Sequence, residues 1–258
     1  MNNNDNNSIH DFDFSLICEY FSSTDHQGPG SEEATLRALS FIPGISADTK
    51  IADLGCGTGS STLVLAKHTE AHIIALDLFP HFIDKLKVRV NEAGVAQSVD
   101  TVVGSMELLP FEKEYFDIIW SEGAIYNIGF DRGMKEWNGF LKKGGYIAVT
   151  EASWFTDERP EEIEQFWLDA YPEMDTIAHK IAQMQGAGYK LVAAFVLPDE
   201  CWTINYYGPQ HDAQKHFLKK HAGNGTAESL VANMVHESEL YEKYGSYYGY
   251  VFYIGQKL

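Results

Sequence analysis

Apolar and polar positions along the chain follow two rhythms. From Ile9 to Phe21 the apolar residues Ile9, Phe12, Leu16, Ile17, Tyr20 and Phe21 recur at helical spacing. A turn at Gly28-Pro29-Gly30 follows. Ser31 then reads as the N-cap of a second helix, with Glu32 and Glu33 in its first turn and Pro43-Gly44 at its end. After that, short apolar runs alternate with helical patterns. Predicted strands are Lys50–Leu54, His72–Asp77, Val99–Val103, Phe116–Ser121 and Gly145–Glu151. Predicted helices run through Ser60–Lys67, Pro80–Asn91, Arg132–Leu141, Pro160–Tyr171 and Thr176–Gln185. Strand–helix alternation of this kind implies an α/β fold, a mostly parallel sheet with helices on both faces.

The last part departs from that rhythm. Strands near Lys190–Leu197 and Tyr247–Ile254 bracket a polar and aromatic insert, Pro198 to Gly245, with helical stretches over Pro209–His221 and Thr226–Tyr244. Inserts of this length form lids or interfaces. Its polarity predicts little core of its own and hence a mobile lid. No linker rich in proline or serine divides the chain, so one elaborated domain is expected over residues 1–258.

Composition narrows the partners. With 37 acidic and 19 basic residues the net charge is −18. That charge disfavours nucleic-acid substrates and anionic membrane surfaces. The Asn-rich start, Met1 to Asn7, has no apolar run and reads as a tail, neither a signal peptide nor a span. Cys18, Cys56 and Cys201 form no ligand pattern and read as reduced thiols, which suits the cytoplasm. The ten histidines are scattered, and His211, His216 and His221 are five apart, so no metal site is expected.

The strongest chemical signal is Asp53-Leu54-Gly55-Cys56-Gly57-Thr58-Gly59 at the end of an apolar strand. Strand, glycine-rich turn and helix bring a ligand against backbone N–H groups. A dinucleotide fingerprint needs G-x-G-x-x-G, but position 60 is Ser60 and the third glycine is Gly59. An NAD-dependent oxidoreductase is therefore the weaker reading. Asp77 ends the next strand, where a carboxylate can accept from ribose hydroxyls.

The acidic residue followed by G-x-G-x-G resembles motif I of the class I S-adenosylmethionine-dependent methyltransferases. Gly104-Ser105-Met106-Glu107-Leu108-Leu109-Pro110-Phe111 resembles the adenine-contacting segment of that family, with Ser105 where Asp is common. Phe116–Gly123 and Leu141–Tyr146 resemble its fourth strand and the turn into its fifth. Gln27–Ser31 and Ser121–Phe130 look like the ubiquinone/menaquinone methyltransferase-type subgroup. The resemblance implies a Rossmann-like, seven-stranded, mostly parallel sheet whose last strand is antiparallel, with a helical insert before it.

It divides the chain into a helical arm (1–45), a cofactor-binding core (46–197), an insert or lid (198–245) and the last strand (246–258). It implies S-adenosyl-L-methionine as cofactor, contacted by Gln27, Gly28, Asp53, Gly55, Cys56, Gly57, Gly59, Asp77, Leu78, Ser105, Met106 and Ser121. Methyl transfer needs positioning and, for some acceptors, a base. Candidates for the catalytic role are Glu122, Tyr126 and His211, with Glu151, Trp154, Phe155, Trp202, Tyr206 and Tyr207 nearby in the reading. The expected acceptor is a small molecule: an aromatic lid suits a quinol or phenol, an acidic mouth an amine. A non-catalytic protein that binds S-adenosylmethionine, and a homodimer, remain open alternatives.

Overall fold

The computed structural model describes residues 14–258. The Asn-rich start and the predicted first helical turn from Ile9 lie outside the described residues. The chain opens with α1 (Phe14–Ser22) and α2 (Glu32–Leu39). Ser31 caps α2 by accepting from the N–H of Ala34. Then come β1 (Lys50–Leu54), α3 (Ser60–His68), β2 (His72–Asp77), α4 (Pro80–Glu92), β3 (Val99–Val103), β4 (Phe116–Ser121), α5 (Phe130–Asn138) and β5 (Leu141–Trp154). The second half holds α6 (Glu161–Ala170), β6 (Asp175–Thr176), α7 (Ile177–Gly186), β7 (Tyr189–Val196), α8 (Glu200–Trp202), α9 (Gly208–Lys220), α10 (Gly225–Tyr244) and β8 (Tyr248–Lys257).

The strands lie in the order β3-β2-β1-β4-β5-β8-β7, with the short β6 on β5. β8 is antiparallel to both neighbours, and the pairs β1–β2, β1–β4, β2–β3 and β4–β5 are parallel. This is the Rossmann-like sheet implied by the sequence. Side-chain alternation sorts the strands onto two cores. Ile51, Ile73, Ala75 and Trp120 pack on one face with Leu65, Ile83 and Leu86 of α3 and α4. Ala52, Ile74, Leu76 and Ile119 pack on the other with Met134 and Trp137 of α5 and Met184 of α7.

Three local differences separate the structure from the sequence reading. Leu141 closes no helix and instead begins β5, which runs for 14 residues. Gly144-Gly145 suggested a turn, but the register shifts between Phe116 and Ile118 and the strand continues past it. A Cβ on Gly145 would stand 2.8 Å from the Asp117 carbonyl oxygen, so the close strand approach selects glycine. Between α8 and α9, Thr203–Tyr207 form one π-helical turn with no sequence signal.

The insert also has more core than its polarity suggested. Trp202, Tyr206, Leu240, Tyr241 and Tyr244 pack with Trp154, Ile163, Trp167 and Tyr248. Phe217, Ala227, Leu230 and Val231 pack with Leu16 and Tyr20 of α1. Each large buried side chain contributes about 1.5–3 kcal/mol. The stated reason for a loose lid therefore fails.

Candidate functional site

The carboxyl ends of β1, β2 and β4 meet where the strand order reverses, and open α/β sheets place their ligands there. β1 delivers the chain into the turn Gly55–Gly59. Gly55 has φ +73, and a Cβ there would stand 2.4 Å from the Ala124 Cβ and 2.8 Å from the Met106 Cε. Gly59 has φ +93 and precedes α3, with the Leu86 side chain filling the space a Cβ would need. Backbone and packing both demand glycine at these two positions. The N–H groups of Gly55 and Cys56 donate to the Leu76 carbonyl at 2.8 and 3.1 Å, which pins the turn to β2.

Two buried carboxylates flank this turn. Asp77 is 7% exposed. Its Oδ2 accepts from the Gly57 N–H and its Oδ1 from the Phe79 N–H, both at 2.9 Å. Burial raises its pKa, and those backbone donors offset part of the rise. Each oxygen keeps a further lone pair for a ligand hydroxyl. Asp53 Oδ2 accepts from the Ser61 Oγ at 2.9 Å and the Thr62 Oγ1 at 2.6 Å. Its Oδ1 is buried without a hydrogen-bond partner among the described residues. Burial pushes the Asp53 carboxyl up to about 6 against the two hydroxyl donors.

The remaining cofactor candidates take up mixed positions. The Gln27 Oε1 accepts from the Thr58 N–H at 3.0 Å, so the arm lies directly on the glycine turn. Gly28 approaches Gly123, whose Cβ would come 3.9 Å from the Gly28 Cα. Asn205 in the π turn donates to the Gly30 carbonyl at 2.9 Å and ties the insert to the same segment. Leu78 is exposed, whereas Cys56 is buried. The Ser105 Oγ accepts from the Glu107 N–H at 3.1 Å and the Met106 carbonyl accepts from the Trp137 indole at 3.1 Å. Ser121 donates to the Leu54 carbonyl at 2.7 Å and joins the ends of β4 and β1.

The catalytic candidates do not all gather. The Glu122 Oε1 accepts from the Trp120 indole and the Thr35 Oγ1, both at 2.8 Å. Tyr126 is 44% exposed, and its ring meets Tyr171 edge-on at 6.0 Å. His211 is exposed on α9, and among the described residues no hydrogen bond or ring contact joins it to Glu122 or Tyr126. Sequence reasoning missed Glu237, Tyr250, Lys180 and Tyr171. The Tyr207 hydroxyl donates to the Glu237 Oε1 at 2.9 Å. Lys180 Nζ lies 2.8 Å from the Glu151 Oε1, and the Tyr171 hydroxyl donates to that same oxygen. The available signal was the tyrosine density of Tyr247-Tyr248-Gly249-Tyr250; Glu237 and Lys180 look like ordinary helix residues. Among the described residues no three or more His, Cys, Asp or Glu gather as a metal set. No helix there is long and apolar enough to cross a membrane.

Burial pushes the Glu122 carboxyl up to about 7, against its indole and hydroxyl donors. The folded state thus holds this proton more tightly than the unfolded chain, where the value is near ~4.3. Its contribution to stability is full below that lower value and is lost as pH rises toward 7. The expected outcome is that wild type loses roughly 3–4 kcal/mol relative to Glu122→Gln between roughly pH 4.5 and 7.5. Urea unfolding of both proteins across that range measures it. A pH-independent difference would leave Glu122 with an ordinary pKa.

A methyltransferase domain family model matches residues 52–149. The sarcosine/dimethylglycine N-methyltransferase of Aphanothece halophytica is 34% identical over 116 residues, 45% of this chain and 42% of that protein. The malonyl-[acyl-carrier protein] O-methyltransferase of Herminiimonas arsenicoxydans is 31% identical over 117 residues, again 45% and 42% of the two chains. The chain thus spans less than half the length of these curated relatives. A Geobacter sulfurreducens S-adenosylmethionine-dependent methyltransferase, solved with S-adenosyl-L-homocysteine, superposes with a TM-score of 0.81 at 18% identity, covering 95% of this chain and 98% of that one. Residues 52–149 are thus similar to the methyltransferase domain family, and the described residues share the fold of that solved S-adenosylmethionine-dependent methyltransferase.

Proposed function

We propose that the chain is an S-adenosylmethionine-dependent methyltransferase that acts on a small molecule without a metal. One observation carries the reading: a glycine turn with left-handed Gly55, Gly57 and Gly59 lies between Asp77 and the unpartnered Asp53 Oδ1. A buried carboxylate oxygen without a donor is costly unless something supplies one. A cofactor with ribose hydroxyls and an ammonium group would supply donors to those carboxylate oxygens. Asp77 would accept from the ribose, the glycine turn would admit the amino-acid end, and Leu78 and Met106 would border the base. S-adenosylmethionine would supply a methyl group activated on a sulfonium. The protein's task is then to align the acceptor and exclude water. Glu122 and Tyr126 are the candidates for holding or moving an acceptor proton. The exposed His211 has the weakest geometric claim to that role.

Calorimetric titration with S-adenosylhomocysteine should give micromolar-class binding, about 8 kcal/mol. Asp77→Ala should weaken it by roughly 1.5–3 kcal/mol, the worth of a charge-assisted hydrogen bond. Because Asp77 also holds the Gly57 and Phe79 N–H groups, the ligand-free variant should melt several degrees lower as well. Tight NADH binding with none for S-adenosylhomocysteine would overturn the proposal. Mass-spectrometric detection of a methylated product separates an enzyme from a protein that only binds the cofactor.

A further inference from the structure

Glu237, on α10, lies in a group of tyrosines contributed by three other parts of the chain. Tyr206 and Tyr248 lie in one buried cluster, Tyr171, Tyr207 and Tyr250 pack against it, and Tyr126 meets Tyr171 edge-on at 6.0 Å. The rings of Tyr206 and Tyr207 lie 4.9 Å apart, and Tyr207 bonds the carboxylate directly. The Tyr250 ring comes within 3.5 Å of where a Cβ on Gly123 would stand, so the group abuts the turn after β4.

What this group lacks is a cation. Glu237 is half-buried, yet among the described residues no lysine, arginine or histidine forms an ion pair with it. Among the described residues Lys180 pairs with Glu151, Arg159 with Glu164 and Lys243 with Glu162, and the ring of the adjacent His236 packs edge-on against Phe166. A carboxylate so placed costs free energy until a positive group joins it. Tyrosine faces attract cations, and several of them around one carboxylate favour an ammonium group strongly. The same field repels carboxylates and phosphates, and the chain's net charge of −18 adds to it.

We infer that the methyl acceptor is an amine that carries no anionic group, held by Glu237 and the tyrosines Tyr126, Tyr206, Tyr207 and Tyr250. This rests on the methyltransferase reading above and names its substrate class. A protonated amine gives its proton to the Glu237 carboxylate, leaving a neutral nitrogen with a free lone pair and a neutral carboxyl group. Burial raises the Glu237 carboxyl to about 7, so it can take that proton near neutrality. A quinol or phenol can donate a hydrogen bond to the carboxylate but brings no positive charge to it, and an amino acid would bring its own carboxylate against it.

The test uses the full chain loaded with S-adenosylhomocysteine and titrated with benzyltrimethylammonium, benzyl alcohol and phenylacetate. The cation should bind, the alcohol more weakly and the anion not at all. Glu237→Gln, similar in shape, should weaken the cation about tenfold or more while its affinity for S-adenosylhomocysteine stays unchanged. Tyr250→Leu serves as the second variant and should weaken the cation by a similar factor. Benzyldimethylamine should be converted to benzyltrimethylammonium by the wild type. Phenylacetate binding better than the cation would overturn the inference. So would undiminished cation affinity in Glu237→Gln or, should that variant not fold, in Tyr250→Leu. If S-adenosylhomocysteine itself does not bind, the methyltransferase reading fails, and cation titration of the ligand-free protein decides this inference on its own.

Discussion

Lys180→Met should lower the thermal midpoint by about 6–20 °C, the largest stability loss expected from a single side chain in this protein. Lys180 and Glu151 have 0% and 1% side-chain exposure, and their charges meet at 2.8 Å. Lys180 also donates to the Glu173 carbonyl at 2.9 Å and lies over the Phe130 ring. Removing one partner of such a pair strands the other charge in a low-dielectric interior, which costs about 3–5 kcal/mol. Glu151 already has a buried Oε2 without a partner, so it has little left to fall back on. Burial raises its pKa, with Lys180 and Tyr171 opposing the rise, so losing Lys180 should push it further upward. The variant should then be most unstable at alkaline pH, where Glu151 cannot stay protonated. Adding Glu151→Gln to Lys180→Met should restore most of the lost stability. Calorimetric melts of the three proteins measure this. An unchanged midpoint in the single variant would mean that water reaches the pair.

Gly55→Val should abolish cofactor binding, weakening S-adenosylhomocysteine by at least about a hundredfold, or ~2.7 kcal/mol. The branched side chain meets the Ala124 Cβ and the Met106 Cε, and φ +73 is strained for any β-branched residue. The turn must shift, and with it the Gly57 N–H that Asp77 holds. Gly94→Val is the control. Gly94 has φ +71 but nothing within 4 Å of its Cβ position, so it shares the backbone strain without the collision. Gly94→Val should lose some stability and keep its affinity. Equal affinities in the two variants would mean that the turn around Gly55 does not shape the ligand site.

The glycine turn was legible in the sequence because its cause is local. An apolar strand, left-handed glycines and a helix start lie within about ten residues, and Asp77 follows one strand later. The sheet was legible for the same reason, except where Gly144-Gly145 looked like a turn. That pair serves a strand irregularity opposite Phe116 and Ile118, and only the neighbouring strand reveals it. The insert was misjudged because average polarity hides spacing. Phe217, Leu230, Val231 and Leu240 sit among many charged residues, yet each reaches a buried contact. The group around Glu237 was illegible for a deeper reason. Its tyrosines come from the turn after β4, the insert and the last strand, and nothing in the spacing of Tyr126 and Tyr250 announces that they converge. Lys180 and Glu151, on α7 and β5, pose the same problem.

The three cysteines have a practical consequence. All three are free and buried, in three different segments of the chain, and Cys56 and Cys201 share one core cluster. Cys18 sits in α1, Cys56 in the glycine turn and Cys201 at the start of the insert. A thiol reagent can reach each one only when its own surroundings open. The unmodified protein therefore carries three clocks. Their alkylation rates, read peptide by peptide, time the opening of the arm and of the core that the turn shares with the insert, with no residue to change.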